Sequence, residues 1–212
     1  MDESVPGQAT VTCDGKVFNM NNMFYGCSEL TSIDLSTFDT SKVNTMSGMF
    51  ENCNSLVSVD LSNLNTFNVR SMINMFYGCS SLISLDLSSF NTSKITNMRN
   101  MFYFCSSLTT LDLSSFDTSN VYNMYMTFRG CSGIGTIDLS NWDTSKVTNM
   151  NSMFCNCNNL TTIKGVIDMK SCTEYAQMFK GCTSLKNVNI KNPPADFESM
   201  SGLSSSQYTI VS

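Results

Sequence analysis

The residues that could do chemistry in this sequence are cysteine and aspartate. The 212-residue chain has ten cysteines and no histidine. Without histidine it lacks Ser-His-Asp and Cys-His nucleophilic systems, and with them the usual proton carrier at neutral pH. Catalysis would then require paired carboxylates in a cleft, which no motif supplies. We therefore expect a protein that is not an enzyme, with no catalytic residues and no cofactor.

Most of the cysteines recur at a nearly constant interval. The steps between successive members are 26 residues five times and then 25, at Cys27, Cys53, Cys79, Cys105, Cys131, Cys157 and Cys182. In a stacked array such residues would lie about 5 Å apart, within disulfide range, but they would point the same way and seven cannot all pair. We expect reduced, buried thiols. Cys155 and Cys157 have C-x-C spacing with no second pair, so we predict no metal site, with zinc as the weaker alternative.

Each cysteine belongs to one 26-residue unit with two hydrophobic periods. Met46, Met49, Phe50 and Cys53 have the i, i+3, i+4, i+7 spacing of a helix face. A residue type that caps helices precedes this stripe, and Gly or Asn stands just before the cysteine in six of seven copies. The spacing predicts a helix of about two turns. Alternation as in Leu85-Asp86-Leu87 then predicts one short strand.

One such unit is too small to bury its apolar side chains alone, whereas stacked copies cover each other. The repeat therefore predicts an α/β solenoid of about seven 26-residue coils. Each coil would supply one short parallel strand and one two-turn helix.

The two ends depart from the repeat, which divides the chain into three regions. Residues 1–18 would form an N-terminal cap and half repeat, residues 19–190 the seven-copy solenoid, and residues 191–212 a C-terminal cap. Ala9 to Cys13 is a candidate capping strand, although Asp14-Gly15 is also typical of a hairpin turn. Tyr208 to Val211 is the candidate last strand.

The unit resembles a known bacterial repeat. Leu82-Ile-Ser-Leu85-Asp-Leu87 matches the strand half of a leucine-rich repeat, and Met101-Phe102-x-x-Cys105-Ser-Ser-Leu108 through Asn123-Met124 is similar to the 26-residue repeat of BspA-like proteins and mycoplasma surface lipoproteins. This resemblance covers roughly residues 16–190. It implies a right-handed leucine-rich-repeat solenoid on a bacterial cell surface, used for adhesion or for binding host or matrix proteins.

Aspartates would form one outward column on the strand face, at Asp34, Asp60, Asp86, Asp112 and Asp138. Like charges opposite each other on neighbouring strands are unfavourable, so something should compensate them. One interpretation is a solvated face whose carboxylates accept hydrogen bonds from flanking Ser and Thr hydroxyls. The other is an acidic strip that binds a basic partner segment or cations.

Two further columns are candidates for binding. Tyr25, Tyr77 and Tyr103 share one position two residues before the cysteine, and tyrosine is favoured at interface hot spots; the alternative is scattered surface aromatics. A threonine column suggests ice binding, but each member lies inside a turn motif such as Asp39-Thr40-Ser41.

We therefore interpret the chain as a non-catalytic, adhesin-type protein-binding module of a bacterial surface protein. A structural spacer that presents another domain is the alternative, and a cation-binding or ice-binding array is a weaker one. The net charge of -5 argues against nucleic acid, and no apolar run reaches the length of a membrane span. We expect a monomer that binds a host, matrix or cell-surface protein.

Overall fold

The computed structural model describes residues 8–10 and 16–212, and its main elements are short parallel strands. In chain order they are β1 (Gln8–Thr10), β2 (Ser32–Asp34), β3 (Ser84–Leu85), β4 (Thr110–Leu111), β5 (Thr136–Asp138), β6 (Thr162–Asp168), β7 (Asn187–Lys191), the helix α1 (Phe197–Ser201) and β8 (Tyr208–Val211). All the strand pairs are parallel, and they are β1-β2, β3-β4, β5-β6, β6-β7 and β7-β8. A parallel partner reached after a whole repeat is the geometry of a solenoid.

The strand registers follow the sequence repeat. Ser84 pairs with Thr110, and Thr136 pairs with Thr162, so each turn of the solenoid takes one 26-residue unit. The structure has about six turns rather than the seven coils expected, because seven copies of the unit enclose six complete intervals. The predicted last strand is confirmed as β8. The candidate capping strand Ala9 to Cys13 is described only where β1 covers it, at Ala9 and Thr10, and the alternative Asp14-Gly15 turn lies outside the described residues.

The segment before each cysteine folds as consecutive turns, so the predicted two-turn helix is wrong. In the second copy Gly48 and Asn52 have φ angles of 64° and 62°, and the N–H of Met49 bonds to the carbonyl of Met46. A positive φ at the third residue of a four-residue turn defines a type II turn, and it prevents a continuous α-helix. Among the described residues α1 is the only α-helix.

The turns are joined from coil to coil by a continuous ladder of backbone hydrogen bonds. The N–H groups of Gly48 and Phe50 donate to carbonyls of the next coil at 2.8 and 2.9 Å. Parallel bridges link one position of successive coils at Thr45, Ser71, Asn97, Asn123, Asn149 and Glu174. The strand face, by contrast, is divided into three sheets, β1-β2, β3-β4 and β5-β6-β7-β8. The turn side therefore holds the coils together along most of the solenoid.

The core is a set of apolar columns that run along the solenoid. Its centre is a stack of parallel phenylalanine rings whose centroids lie 5.4–5.9 Å apart, formed by Phe24, Phe50, Phe76, Phe102, Phe128, Phe154 and Phe179. Methionine and leucine columns pack around it. At the C-terminal end the Tyr175 hydroxyl donates to Asp196, which raises the pKa of Tyr175 to about 12 and ties the last repeat to the cap.

Candidate binding face

The five column aspartates lie on the strand face, and all of them are exposed. In every case one carboxylate oxygen accepts the backbone N–H of the serine two residues later, at 2.8–3.0 Å. This is the local hydrogen bond of an Asx turn, which reverses the chain after the strand. Each aspartate therefore has a structural role inside its own coil while its side chain remains exposed.

Local hydrogen bonds also keep these carboxylates ionised. The backbone N–H of Ser88 and then its hydroxyl lower the pKa of Asp86, and Ser114 lowers the pKa of Asp112 in the same way. The neighbouring column aspartates act in the opposite direction, because a nearby negative charge raises a carboxyl pKa. The face thus carries a line of negative charges, in which neighbours repel each other.

The strand pairing differs between coils at the aspartate position. The β3-β4 pairing ends at Leu85 and Leu111, one residue before Asp86 and Asp112. The β5-β6 pairing continues through the aspartate position, where Asp138 lies opposite Lys164. Their ammonium and carboxylate atoms are 3.4 Å apart, with side chains 58% and 51% exposed. The strands therefore pair at the position of the column aspartates in the coil where Lys164 stands in place of the next aspartate.

A concavity of about 840 Å³ lies on this face between β3, β4 and β5. Its lining includes Asp86, Asp112, Leu111 and Gly135. Gly135 and Lys164 were not identified as site residues from the sequence. Both residues differ from their equivalents in the sequence, and this difference could have identified them. Thr109 and Thr161 occupy the position of Gly135 in the adjacent coils, and aspartate occupies the position of Lys164 in the five preceding coils.

The tyrosine column is only partly brought together. The rings of Tyr77 and Tyr103 are stacked 4.3 Å apart and half-buried, and Phe104 packs at a tilt against Tyr103. Tyr25 is 55% exposed and lies two coils from Tyr77. Glu51 occupies the column position in the coil between them, so Tyr25 has no tyrosine neighbour in the column. These three tyrosines therefore form a stacked pair and one isolated ring rather than a continuous edge.

The threonine column is buried, which contradicts the ice-binding interpretation. The members are at most 2% exposed, at Thr40, Thr66, Thr92, Thr118 and Thr144. Each hydroxyl donates to a carbonyl of the next coil at 3.0–3.3 Å. Side chains that are used inside the solenoid cannot match an external ice lattice.

The cysteine column contains free thiols, which are buried as expected except at Cys27, where the first coil leaves the thiol exposed. From Cys53 onward each thiol donates to the carbonyl of a phenylalanine in the preceding coil, at 3.0–3.2 Å. Burial raises the pKa of the Cys53 and Cys131 thiols to about 12, so they stay protonated at neutral pH. Within the described part of the chain, no three His, Cys, Asp or Glu side chains are grouped as a metal site would need.

The same described residues include no helix with the length and apolar character that crossing a membrane requires.

Taken together, the parallel turns, the phenylalanine stack and the exposed strand face define a parallel solenoid of the leucine-rich-repeat type. The family described as "Mycoplasma protein of unknown function, DUF285" matches residues 13–85 and 80–192. The chain belongs to this family, and its repeat is the BspA-like repeat that the sequence resembles.

A solved structure supports the fold. The crystal structure of the T. pallidum leucine rich repeat protein (TpLRR) matches with a TM-score of 0.55 and 22% sequence identity. The match covers 85% of this chain and 78% of that protein. At this identity the likeness shows the fold alone. No curated protein matches the sequence of this chain.

Proposed function

We propose that this solenoid is a non-catalytic protein-binding module of a bacterial surface protein, and that the strand face with the five aspartates is its binding face. The observation that carries the proposal is the line of ionised carboxylates, in which only Asp138 has a cationic partner among the described residues. A charged line on a regular surface attracts a partner of opposite charge and orients it. The partner we propose is a host, matrix or cell-surface protein, bound by a monomer in an adhesin-type role.

The experiment compares binding by variants that keep the fold. Asparagine can accept the same serine N–H through its side-chain oxygen, so changing all five column aspartates to asparagine removes charge but retains the Asx turns. Immobilised protein captures partners from host and matrix extracts, and each captured protein is then purified and titrated. We expect the five-Asn variant to bind at least tenfold more weakly, with most of the salt dependence lost.

A control variant removes three charges from a different edge. Asp39, Asp117 and Asp143 accept serine N–H groups in the same way, but they lie in the Asp-Thr-Ser turns. Their change to asparagine should leave binding nearly intact. A third variant, with Tyr25, Tyr77 and Tyr103 changed to alanine, tests the tyrosine edge. If the five-Asn variant binds like the wild type, the strand face is not the binding face.

A structural spacer is the second candidate, favoured by the continuous turn ladder and the unbroken phenylalanine stack. Such an array is stiff along its axis because every coil is bonded to the next. The spacer proposal predicts that no partner is retained by the wild-type protein in the same capture experiment.

A further inference from the structure

One backbone hydrogen bond that the other described coil junctions share is missing between Thr109 and Gly135. Elsewhere the N–H four residues after the cysteine donates to the same position of the preceding coil: Ile83 to Val57 and Thr109 to Ile83 at 3.2 Å, and Thr161 to Gly135 at 2.8 Å. The N–H of Gly135 has no hydrogen-bond acceptor among the residues that the structure describes. A backbone donor is thus left free at the edge of the concavity described above.

Glycine at this position also opens the surface. A Cβ atom built on Gly135 would meet nothing within 4 Å, so the missing side chain leaves a notch. Below the notch, Leu111 is only partly buried, whereas the equivalent Leu85 and Ile137 of the adjacent coils are 5% and 1% exposed. The concavity therefore has an apolar floor.

Two carboxylates without a cationic partner stand at the rim of this concavity. Asp86 and Asp112 line it, and within the described residues neither forms an ion pair. One coil further on, the protein itself places an ammonium group against the same column, where Lys164 contacts Asp138. The column can therefore receive a lysine side chain that lies along the strand face.

We infer that this concavity binds a lysine side chain presented by an extended segment of the partner protein. The methylene stem of the lysine covers Leu111, its ammonium group lies between Asp86 and Asp112, and a backbone carbonyl of the segment accepts the N–H of Gly135. This inference rests on the proposed function and names the chemistry that the strand face recognises.

The test uses a labelled peptide, acetyl-Thr-Lys-Thr-Lys-Thr-Lys-Thr-amide, titrated by fluorescence anisotropy. Gly135→Thr fills the notch with the residue found at Thr31, Thr109 and Thr161, and the open space around its Cβ predicts an unchanged melting temperature. We expect Gly135→Thr and the double variant Asp86→Asn/Asp112→Asn each to weaken binding about tenfold. The matched double variant Asp117→Asn/Asp143→Asn should bind like the wild type.

Two ligand controls separate a lysine site from general attraction of cations. A peptide with norleucine in place of lysine keeps the apolar stem without the charge, and spermine carries charge without a peptide backbone. We expect the norleucine peptide not to bind and spermine to compete at least tenfold less well. Binding that is unchanged in folded Gly135→Thr, or equal competition by spermine, would overturn the inference.

The same variants distinguish failure of the lysine site from failure of the proposed function. If the natural partner is lost with the five-Asn variant but retained by Gly135→Thr, the strand face still binds and only the lysine site is wrong. If the five-Asn variant retains the partner, the proposed function itself fails.

Discussion

The hydroxyl of Thr92 forms two hydrogen bonds with one residue of the next coil, Asp117. It donates to the Asp117 carbonyl at 3.1 Å and accepts the Asp117 N–H at 2.8 Å. The side chain is 2% exposed, so water cannot replace either bond. One threonine hydroxyl thus satisfies both backbone groups of Asp117 where the chain turns.

This arrangement predicts the effect of removing the hydroxyl. Thr92→Val keeps the shape of the side chain but leaves a buried N–H and carbonyl unpaired, so the free energy of unfolding should fall by about 2–3 kcal/mol. Thr92→Ser, which keeps the hydroxyl, should lose less than half of that. Urea denaturation measures both, and equal losses would show that the methyl group matters more than the hydrogen bonds.

A second prediction concerns a position where the repeat is imperfect. Met126 has a φ of 54°, which is unfavourable for methionine, and the side-chain oxygen of Asn100 is buried without a hydrogen-bond partner. Asn100 and Asn74 occupy the position of Met126 in the two preceding coils, and the side-chain amide of Asn100 donates to the side-chain oxygen of Asn74 at 3.0 Å. Met126→Asn should extend this amide ladder and tolerate the left-handed backbone, which raises the free energy of unfolding by about 1–2 kcal/mol.

Met126→Gly separates the two causes of that gain. Glycine relieves the backbone but offers no donor to Asn100, so we expect a smaller stabilisation than with asparagine. Thermal unfolding of the three proteins gives the order. A melting temperature of Met126→Asn below that of the wild type would show that packing of the methionine outweighs both effects.

The buried thiols predict a stability that declines at alkaline pH. Burial raises the pKa of Cys131 to about 12 in the folded state, whereas an unfolded cysteine ionises near pH ~8.5. Because the pKa of the thiol is higher in the folded state, its contribution to stability is fully present below the pKa of the unfolded state. That contribution is lost as the pH rises toward the pKa of the folded state. The free energy of unfolding, measured in reductant, should therefore fall above pH ~8.5. Cys131→Ala should show a shallower decline, and parallel curves would contradict the assignment.

The sequence predicts the solenoid because stacking demands the same residue type at the same place in every copy. Cys53 and Phe50 repeat in step with their equivalents, and the structure puts both columns in the core, apart from the exposed Cys27. The helix was wrong because capping and stop signals also suit a pair of turns. Asn19 does accept the N–H of Asn21 at 2.7 Å, but Asn22, which has a φ of 54°, turns the chain immediately afterwards. Glycine or asparagine at that position in the first four copies was the available signal.

The aspartate column could be predicted, but which neighbouring strands pair could not. Alternation fixed the outward direction of Asp86 and Asp112, and the serines supply the compensation that like charges require. Whether the strands stay paired depends on small differences between hydrogen bonding and repulsion, which a pattern does not contain. The notch at Gly135 arises in the same way, from one residue that differs from its equivalents.

The phenylalanine stack has a consequence for how such a chain can change in length. Adjacent rings from Phe50 to Phe154 each stack on a ring of the coil before and a ring of the coil after, so removing or duplicating one complete unit leaves every interior ring with a neighbour on each side. Unequal recombination between the repeated gene segments could therefore lengthen or shorten the protein in whole steps. Each product would inherit a working fold and a longer or shorter display of the same surface.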